Sequence, residues 1–299
     1  LLGVFIGAPL ILVANARNMN ELLENIQEYK PTIFPGVPLL YHALSNHADV
    51  KAGKYSLKSL KVCISGSAPL MPGTKESFEA LIGGKIIEGY GLSEAPTATH
   101  CNPQHGVNKI GSIGMPLPDV DARVVNLEDG EKDIEIGELG ELIISSPQVM
   151  TGYNDKPEET ARTLRTLRDG KVWLFTGDVV RMDEDGYFFV IDRVKELIKP
   201  GGEQVWPREV EEIIASHPKV LEVCVGGVPD PILGELVKAW VVVKPGESLS
   251  TTEIQDWCSK SLAKYKIPRQ VEFRSGLPKT TVGKVLRREL VRQHKDNTT

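Results

Sequence analysis

Hydrophobic and polar positions alternate in short blocks along the first part of the chain. From Leu1 to about Ile87, apolar runs such as ILVA, PTIF and KVCIS are separated by stretches with helical periodicity, such as MNELLENIQEYK and TKESFEALI. Strands that alternate with helices are typical of a parallel or mixed sheet with crossover helices. The uncharged run 1–14 is too short to span a bilayer, and we expect it to be buried core.

A second pattern begins near Ala122 and continues to Ile191. Here short apolar runs, ARVVN, ELIIS, VWLF, VVRM and YFFVID, are separated by turn residues. Asp185-Gly186 lies between the last two runs and is typical of a hairpin turn. We therefore expect a small antiparallel β unit after the mixed sheet.

A third pattern follows Asp192, where Lys199-Pro-Gly-Gly202 interrupts any regular element. Beyond it Pro207 opens a predicted helix, and Ser250 with Glu253 forms a capping box for another. Between and after these helices the pattern predicts the strands VLEVCVG and KAWVVV and a basic helix over 284–294. The sequence thus predicts two domains, 1–192, which is α/β, and 193–299, which is smaller and α+β.

Composition narrows the class of protein. The 299 residues are 41% hydrophobic and 25% charged, which excludes a disordered or membrane-embedded chain. The net charge of −5 argues against nucleic acid as a partner. The 4 cysteines are scattered without a C-x-x-C pair, which favours a reduced compartment, and we expect a cytoplasmic protein.

Familiar nucleotide and metal motifs are incomplete. The stretch 276–285 has the wrong glycine spacing for a Walker loop, and Glu94 stands where a dinucleotide fingerprint needs its third glycine. His100, Cys101 and His105 lack a fourth metal ligand at a suitable spacing. These three interpretations are rejected.

Two short polar segments carry candidate chemistry. Residues 88–94, EGYGLSE, follow a predicted strand and form a loop in which Tyr90 could stack on a planar ring and Glu94 could hold a metal ion. Thr176-Gly-Asp178 could present a carboxylate to two adjacent hydroxyls. Taken alone, the first segment is equally a tight surface turn and the second equally a turn cap.

The order of the polar segments decides between these alternatives. From about residue 30 onward the chain closely resembles the acyl-adenylate-forming superfamily, which contains acyl-CoA synthetases, luciferases and the adenylation domains of peptide synthetases. The segments that carry the resemblance are TIFPGVPLLY (32–41), GSAPL (66–70), EGYGLSE (88–94), GEL to MTGY (140–153), TGD (176–178), DRVKELIK (192–199), GEQVWPREVE (202–211), VPD to GE (228–235) and PKT to GK with RREL (278–290).

FPGVP, DRVKELIK and LPKT..GK.LRREL are most similar to long-chain fatty-acid CoA ligases. In that family a Ser/Thr/Gly-rich loop that grips the ATP phosphates precedes the position of Leu1. The chain is therefore expected to be the back part of a longer polypeptide, with 1–192 the C-terminal part of the large domain and 193–299 the small mobile domain.

The resemblance implies that the substrates are ATP, a carboxylic acid and coenzyme A, with Mg²⁺ as the metal. It assigns catalysis to Lys284, Mg²⁺ to Glu94, coenzyme A to Gly202 and the hinge to Lys195. The residues that it assigns to ATP or AMP are Ser67, Glu88, Gly89, Tyr90, Ser93, Asp178, Arg193 and Gln204. Those that it assigns to the acyl pocket are Val37, Pro38, Ser67 and Gly91. Gly201 departs from the family, where a basic or hydroxyl residue is common.

The implied function is ATP-dependent activation of a fatty acid to acyl-AMP, followed by acyl transfer to coenzyme A. A ligase for aryl or other short acids is the alternative enzyme. A fragment that only binds nucleotide or a partner chain is the alternative from another class. A homodimer and a peripheral membrane contact for substrate supply are left open.

Overall fold

A computed structural model describes residues 2–68, 70–280 and 285–296. The chain divides into two compact units. Unit 1 contains Leu1–Ala122, Ile144–Leu174 and Met182–Phe189, and unit 2 contains Arg123–Ile143, Phe175–Arg181 and Val190–Thr299. The domain boundary expected at 192/193 stays a prediction.

The helices and strands follow the chain in alternating order at first and then in separate groups. The α-helices of the described residues are α1 (Leu2–Phe5), α2 (Met19–Tyr29), α3 (Pro38–Asn46), α4 (Ala48–Lys51), α5 (Pro72–Ile82), α6 (Pro157–Thr163), α7 (Pro207–Ala215), α8 (Thr251–Ser259) and α9 (Arg287–Asp296). The strands are β1 (Ile33–Gly36), β2 (Val62–Ser65), β3 (Lys85–Leu92), β4 (Ala95–Cys101), β5 (Met115–Pro116), β6 (Asp121–Val125), β7 (Leu139–Ser145), β8 (Leu164–Thr166), β9 (Val172–Met182), β10 (Phe188–Arg193), β11 (Val220–Asp230), β12 (Gly234–Val243) and β13 (Gln270–Phe273).

The first sheet has the order β1-β2-β3-β4-β5. β1 pairs in parallel with β2, and β2 in parallel with β3, whereas β3, β4 and β5 pair in antiparallel fashion. This confirms the expected mixed sheet with crossover helices. Because β1, β2 and β3 run in the same direction, their carboxyl ends lie at one edge of the sheet, and helices join each strand to the next.

A second sheet has the strand order β10-β9-β7-β6, with β8 paired to β9. The turn between β9 and β10 contains Gly186 at φ +79° and is closed by a 3.0 Å hydrogen bond from the Asp183 amide to the Tyr187 carbonyl. The hairpin predicted at Asp185-Gly186 is therefore confirmed. VWLF and VVRM, expected as separate strands, lie in the single strand β9, because Gly177 at φ +70° bends the backbone without ending the pairing.

The third sheet, β11-β12-β13, belongs to unit 2. β11 and β12 are antiparallel, and β13 is parallel to β12. α7 begins at Pro207 as predicted, and α8 begins with the complete capping box of Ser250 and Glu253. This α+β arrangement confirms the smaller fold expected for the last part of the chain, and its final described helix is Arg287–Asp296.

The core of unit 1 forms where α2, α3 and α5 pack on the sheet, around Leu23, Tyr41 and Phe78. Tyr41 is fully buried, and its hydroxyl donates to the carbonyl oxygens of Phe34 and Ile64, at 3.0 and 2.9 Å. One side chain thus holds β1 beside β2. Burial raises the pKa of Tyr41 well above its usual range, so that the hydroxyl remains a donor.

The N-terminal run contradicts the expectation of a buried core. Phe5 and Leu12 are each 89% exposed, and Val4 is 70% exposed. α1 has only 4 residues, and the chain then continues without regular structure from Ala8 to Val13. A segment this short has no long apolar face to pack, and of these residues Val13 contacts the core. The run ILVA is therefore not a strand.

Among the described residues, no helix combines the length and the apolar character that a membrane-crossing helix requires.

Candidate active site

Three segments of predicted site residues lie at the carboxyl ends of adjacent parallel strands. Val37 and Pro38 follow β1, Ser67 follows β2, and Glu88 lies within β3 opposite Ser65. The Gly66 amide donates to the Gly36 carbonyl at 3.4 Å. The structure therefore brings the predicted acyl and adenine residues of unit 1 to one edge of the sheet, where α/β proteins commonly bind ligands.

Ser67 adopts a left-handed conformation, with φ +71°. A left-handed conformation is uncommon for residues other than glycine and often marks a functional loop. A Cβ placed on the preceding Gly66 would lie 3.6 Å from the Gly89 carbonyl oxygen, so the loop lies directly against the backbone of β3. The Ser67 side chain is exposed.

Glu88 is a buried carboxylate that orders two loops. Its Oε1 accepts the Leu70 amide at 3.4 Å, and its Oε2 accepts the Gly111 amide at 3.3 Å. The side chain is 7% exposed. Glu88 thus shapes the edge of the site through backbone groups, and this contact was not foreseen from the sequence.

The segment EGYGLSE was expected to form a loop, and this expectation is wrong. Residues 88–92 continue β3, and Ser93-Glu94 is the turn that leads into β4. The reason is a close antiparallel contact: a Cβ on Gly91 would lie 2.1 Å from the Thr97 carbonyl oxygen. Only glycine permits this approach, and Thr97 completes it with φ +81°.

Tyr90 lies directly opposite His100 in the β3–β4 ladder. The two rings meet edge to face with centroids 5.9 Å apart, and the Phe188 ring also packs on His100, with centroids 4.8 Å apart. The Thr99 hydroxyl lies 3.3 Å from the Tyr90 carbonyl and 3.0 Å from His100 Nδ1. Burial lowers the pKa of His100 to about 3, so the ring is neutral.

Glu94 has a partner that sequence reasoning missed. The Tyr153 hydroxyl donates to Glu94 Oε1 at 2.7 Å, and the Met150 amide donates to the Glu94 carbonyl at 2.8 Å. Tyr153 belongs to the segment that carried the family resemblance, but nothing in the pattern indicated which residue it contacts. Tyr153 is thus part of the structure that surrounds the predicted metal ligand.

In unit 2 the structure brings Asp178 and Arg193 together. Arg193 Nε lies 2.9 Å from Asp178 Oδ1. Asp178 follows Gly177, whose amide donates to Glu141 Oε1 at 2.9 Å, and the Thr176 hydroxyl donates to the Leu142 carbonyl at 2.7 Å. These contacts with β7 orient a buried carboxylate whose cationic partner is exposed to solvent.

The predicted hinge and coenzyme A residues follow β10 in an irregular stretch. Lys195 lies in the 3₁₀ turn Val194–Glu196 and is exposed, as is Gln204. Gly202, at φ +92°, ends a second 3₁₀ turn, Pro200–Gly202. Gly201 within that turn has φ +62°, so the departure from the family at this position coincides with a backbone that favours glycine.

Arg287 is the centre of an ion-pair cluster that the sequence did not indicate. Its guanidinium nitrogens lie 2.8 Å from Glu211, 3.3 Å from Glu196 and 3.6 Å from Asp192. Burial alone would lower the pKa of Arg287, but the charges of Glu211 and Asp192 outweigh it and raise that pKa. The cluster joins the start of α9 to the segment that contains the predicted hinge.

Lys284, the predicted catalytic residue, lies outside the described residues. The described ranges contain no group of three or more His, Cys, Asp or Glu side chains suited to hold a metal ion. Glu94 is thus a single carboxylate and not part of a protein-built metal cage. Such a carboxylate suits Mg²⁺ that is bound mainly through substrate phosphates.

Comparison with known proteins identifies the class. The model of the family described as AMP-binding enzyme matches residues 1–154, and that of the AMP-binding enzyme C-terminal domain matches 209–284. The chain belongs to the AMP-binding enzyme family. This confirms the resemblance and the fold class inferred from the sequence.

Two curated relatives are named long-chain-fatty-acid–CoA ligase. That of Bacillus subtilis is 49% identical over 93% of this chain and 48% of its own length, and that of Yersinia pestis is 40% identical over 97% and 50%. ATP-bound MatB from Rhodopseudomonas palustris superposes with a TM-score of 0.87 at 31% identity, over 100% of this chain and 57% of that one. The chain spans about half the length of the curated relatives it matches.

Proposed function

We propose that this chain serves in the ATP-dependent activation of a fatty acid to acyl-AMP and in the transfer of the acyl group to coenzyme A. The observation that carries the proposal is the arrangement at the carboxyl ends of β1, β2 and β3. It places Val37 and Pro38, assigned to the acyl chain, beside Ser67 and Glu88, assigned to the nucleotide. The names of the curated relatives support a fatty acid as substrate.

The reaction has two steps. In the first, an oxygen of the substrate carboxylate attacks the α-phosphorus of ATP, and the bond from that phosphorus to pyrophosphate breaks. In the second, the thiolate of coenzyme A attacks the acyl carbonyl carbon, and the bond from carbon to the AMP oxygen breaks. Anionic reactants meet in the first step, so the site must supply donors and positive charge.

The described residues bind and orient the nucleotide. Tyr90 stacks on adenine, with Ser67, Glu88 and Gly89 along its edge. Asp178 accepts the two ribose hydroxyls, and Arg193 adds a donor beside it, at the 2.9 Å separation already described. Gln204 contacts AMP.

Three residues, Ser93, Lys284 and Glu94, are assigned to stabilise the negative charge at the reacting phosphate. Ser93 binds phosphate through its hydroxyl. Lys284 is assigned to bridge the substrate carboxylate and the α-phosphate. When bound, Mg²⁺ neutralises the phosphates and orients the departing pyrophosphate, and Glu94 is the side chain that would hold it.

The second step involves the segment after β10. Lys195 is the hinge at which the backbone changes conformation between the steps, and Gly202 lies against the pantetheine of coenzyme A. Gly91 completes the acyl pocket. We place the protein in the cytoplasm, which its 4 free cysteines support, and the homodimer and membrane contact stay predictions.

A ligase for an aryl acid is the second candidate. It is favoured by the similarity to an anthranilate CoA ligase solved with anthranoyl-AMP, which superposes with a TM-score of 0.78 at 32% identity, over 96% of this chain and 55% of that one. The third candidate, a chain that binds nucleotide or a partner without turnover, stays a prediction.

The test is ATP/pyrophosphate exchange driven by a panel of fatty and aryl acids, together with AMP binding by calorimetry. Exchange with a long-chain acid supports the proposal, and exchange with aryl acids alone favours the second candidate. AMP binding without exchange favours the third, and the absence of both refutes all three. Lys284→Ala is expected to slow exchange while it spares thioester formation from preformed acyl-AMP.

A further inference from the structure

The hydroxyl of Tyr153 is directed at the carboxylate assigned to the metal. It donates to Glu94 Oε1 at 2.7 Å. Within the described ranges, no other side chain hydrogen-bonds to this carboxylate or forms an ion pair with it. A carboxylate offers about four lone-pair positions, so one donor fixes its rotation and leaves acceptor capacity on both oxygens.

The backbone at Tyr153 is itself fixed by the residues around it. Its amide donates to Thr160 Oγ1 at 2.9 Å. Gly152 permits this approach, since a Cβ there would lie 2.9 Å from Thr160 Cγ2. The backbone that carries the phenol is therefore held against α6.

The segment that carries Tyr153 is also joined to the β3–β4 hairpin. Gln148 Nε2 donates to the Ala98 carbonyl at 2.9 Å, and the Met150 amide donates to the Glu94 carbonyl at 2.8 Å. Backbone and side chain of Glu94 are thus both held by residues 150–153.

We infer that Tyr153 is a positioning residue, which orients the Glu94 carboxylate for Mg²⁺. The inference rests on the proposed function, in which Glu94 holds the metal. Mg²⁺ tolerates little deviation from octahedral geometry and is commonly bound through one or two carboxylates plus phosphates. Partners of this kind commonly change metal affinity or activity about 10–100-fold when they are removed.

The decisive variant is Tyr153→Phe, which removes the hydroxyl and keeps the ring. Its matched control is Tyr187→Phe, which removes a hydroxyl that donates to the Val107 carbonyl at 2.6 Å in the same unit. Radiolabelled ATP and AMP are titrated onto the 299-residue chain at graded Mg²⁺ concentrations. AMP serves as the reference because it lacks the β- and γ-phosphates that Mg²⁺ neutralises.

In the unmodified chain, Mg²⁺ is expected to increase the affinity for ATP. Tyr153→Phe should raise about 10–100-fold the Mg²⁺ concentration at which half of that increase is reached. The affinity for AMP stays unchanged, and Tyr187→Phe matches the unmodified chain with both nucleotides. Exchange activity in saturating Mg²⁺ recovers, since the ligand itself remains.

Four results overturn the inference, and Glu94→Gln separates failure of the inference from failure of the proposed metal role. If Glu94→Gln raises the Mg²⁺ requirement and Tyr153→Phe does not, Tyr153 has no positioning role although the proposed function stands. If Tyr153→Phe weakens AMP as much as ATP, its effect is structural. If Glu94→Gln leaves the Mg²⁺ response unchanged, or the unmodified chain binds neither nucleotide, the proposed metal role fails and the inference fails with it.

Discussion

Arg193 Nε lies 2.9 Å from Asp178 Oδ1, and the two side chains differ sharply in exposure, at 58% for the arginine and 5% for the aspartate. A buried carboxylate therefore has its cationic partner on the solvent side. Because water screens the exposed guanidinium, the ion pair adds little to the stability of the fold, and its main effect is to orient the Asp178 carboxylate. This arrangement fits a carboxylate that accepts hydrogen bonds from the hydroxyl groups of a ligand.

The first prediction concerns Asp178→Asn. Loss of the anionic acceptor is expected to weaken AMP binding about 10–100-fold, because a hydrogen bond to a charged group contributes about 1.5–3 kcal/mol. The unmodified chain should also prefer AMP to 2′-deoxy-AMP, and the variant should lose this preference. Calorimetric titration with both nucleotides measures it. Full discrimination by the variant would refute the ribose role.

The second prediction concerns Gly91→Ala. A Cβ at this position would lie 2.1 Å from the Thr97 carbonyl oxygen, so β3 and β4 must separate. We expect a loss of about 3 kcal/mol in the free energy of unfolding, together with weaker nucleotide binding, since Tyr90 is the adjacent residue. Urea unfolding followed by tryptophan fluorescence measures the change.

Gly73→Ala is the matched control for Gly91. Gly73 lies in α5, and a Cβ there would meet no atom within 4 Å. Alanine has the higher helix propensity, so this variant should be neutral or more stable by up to about 1 kcal/mol. Equal effects of the two substitutions would contradict the close contact at Gly91.

The third prediction concerns pH and His100. The pKa of His100 in the folded chain, about 3, lies below the ordinary histidine pKa of 6.5 that holds in the unfolded chain, so unfolding takes up a proton once the pH falls below 6.5. The contribution of His100 to stability is therefore complete above that pH and is lost progressively down to about pH 3. The free energy of unfolding lost through His100 between pH 6.5 and 5 is about 2 kcal/mol, at 1.36 kcal/mol per pKa unit.

His100→Phe keeps an aromatic ring beside Phe188 but cannot titrate. We expect its unfolding free energy to fall less steeply between pH 6.5 and 5 than that of the unmodified chain. His105→Gln, which alters an exposed histidine, should keep the original slope. Parallel slopes for all three proteins would show that His100 is not the group responsible.

The fourth prediction concerns the cluster around Arg287. Arg287→Met leaves Asp192, Glu196 and Glu211 without their shared cation, and because the cluster is partly buried we expect the loss to be about 3 kcal/mol, the lower end for a broken buried ion pair. Its neighbour Arg288 has an 80% exposed side chain and lies 3.9 Å from Glu196, so Arg288→Ala should change stability by less than about 1 kcal/mol. Thermal unfolding of the two variants compares them directly.

Much of the fold could be predicted because its signals are local. Helical periodicity placed α2, α5 and α7, the capping box placed α8, and Asp185-Gly186 placed a hairpin. Each signal depends on residues within a few positions of one another. The order of short polar motifs then indicated the family, which the family models confirm.

The contacts of the site depend on residues far apart in sequence. Glu94 and Tyr153 are separated by 59 positions, and Arg287 and Glu211 by 76, so no local period relates them. Local signals did not predict burial either. An apolar composition shows that a segment could be buried, but its packing partners decide whether it is. Phe5, in an apolar run, is exposed. The sequence by itself determined the elements and the chemistry-bearing residues. The tertiary structure decided which of them meet, because pairing and burial depend on the packing of the folded chain.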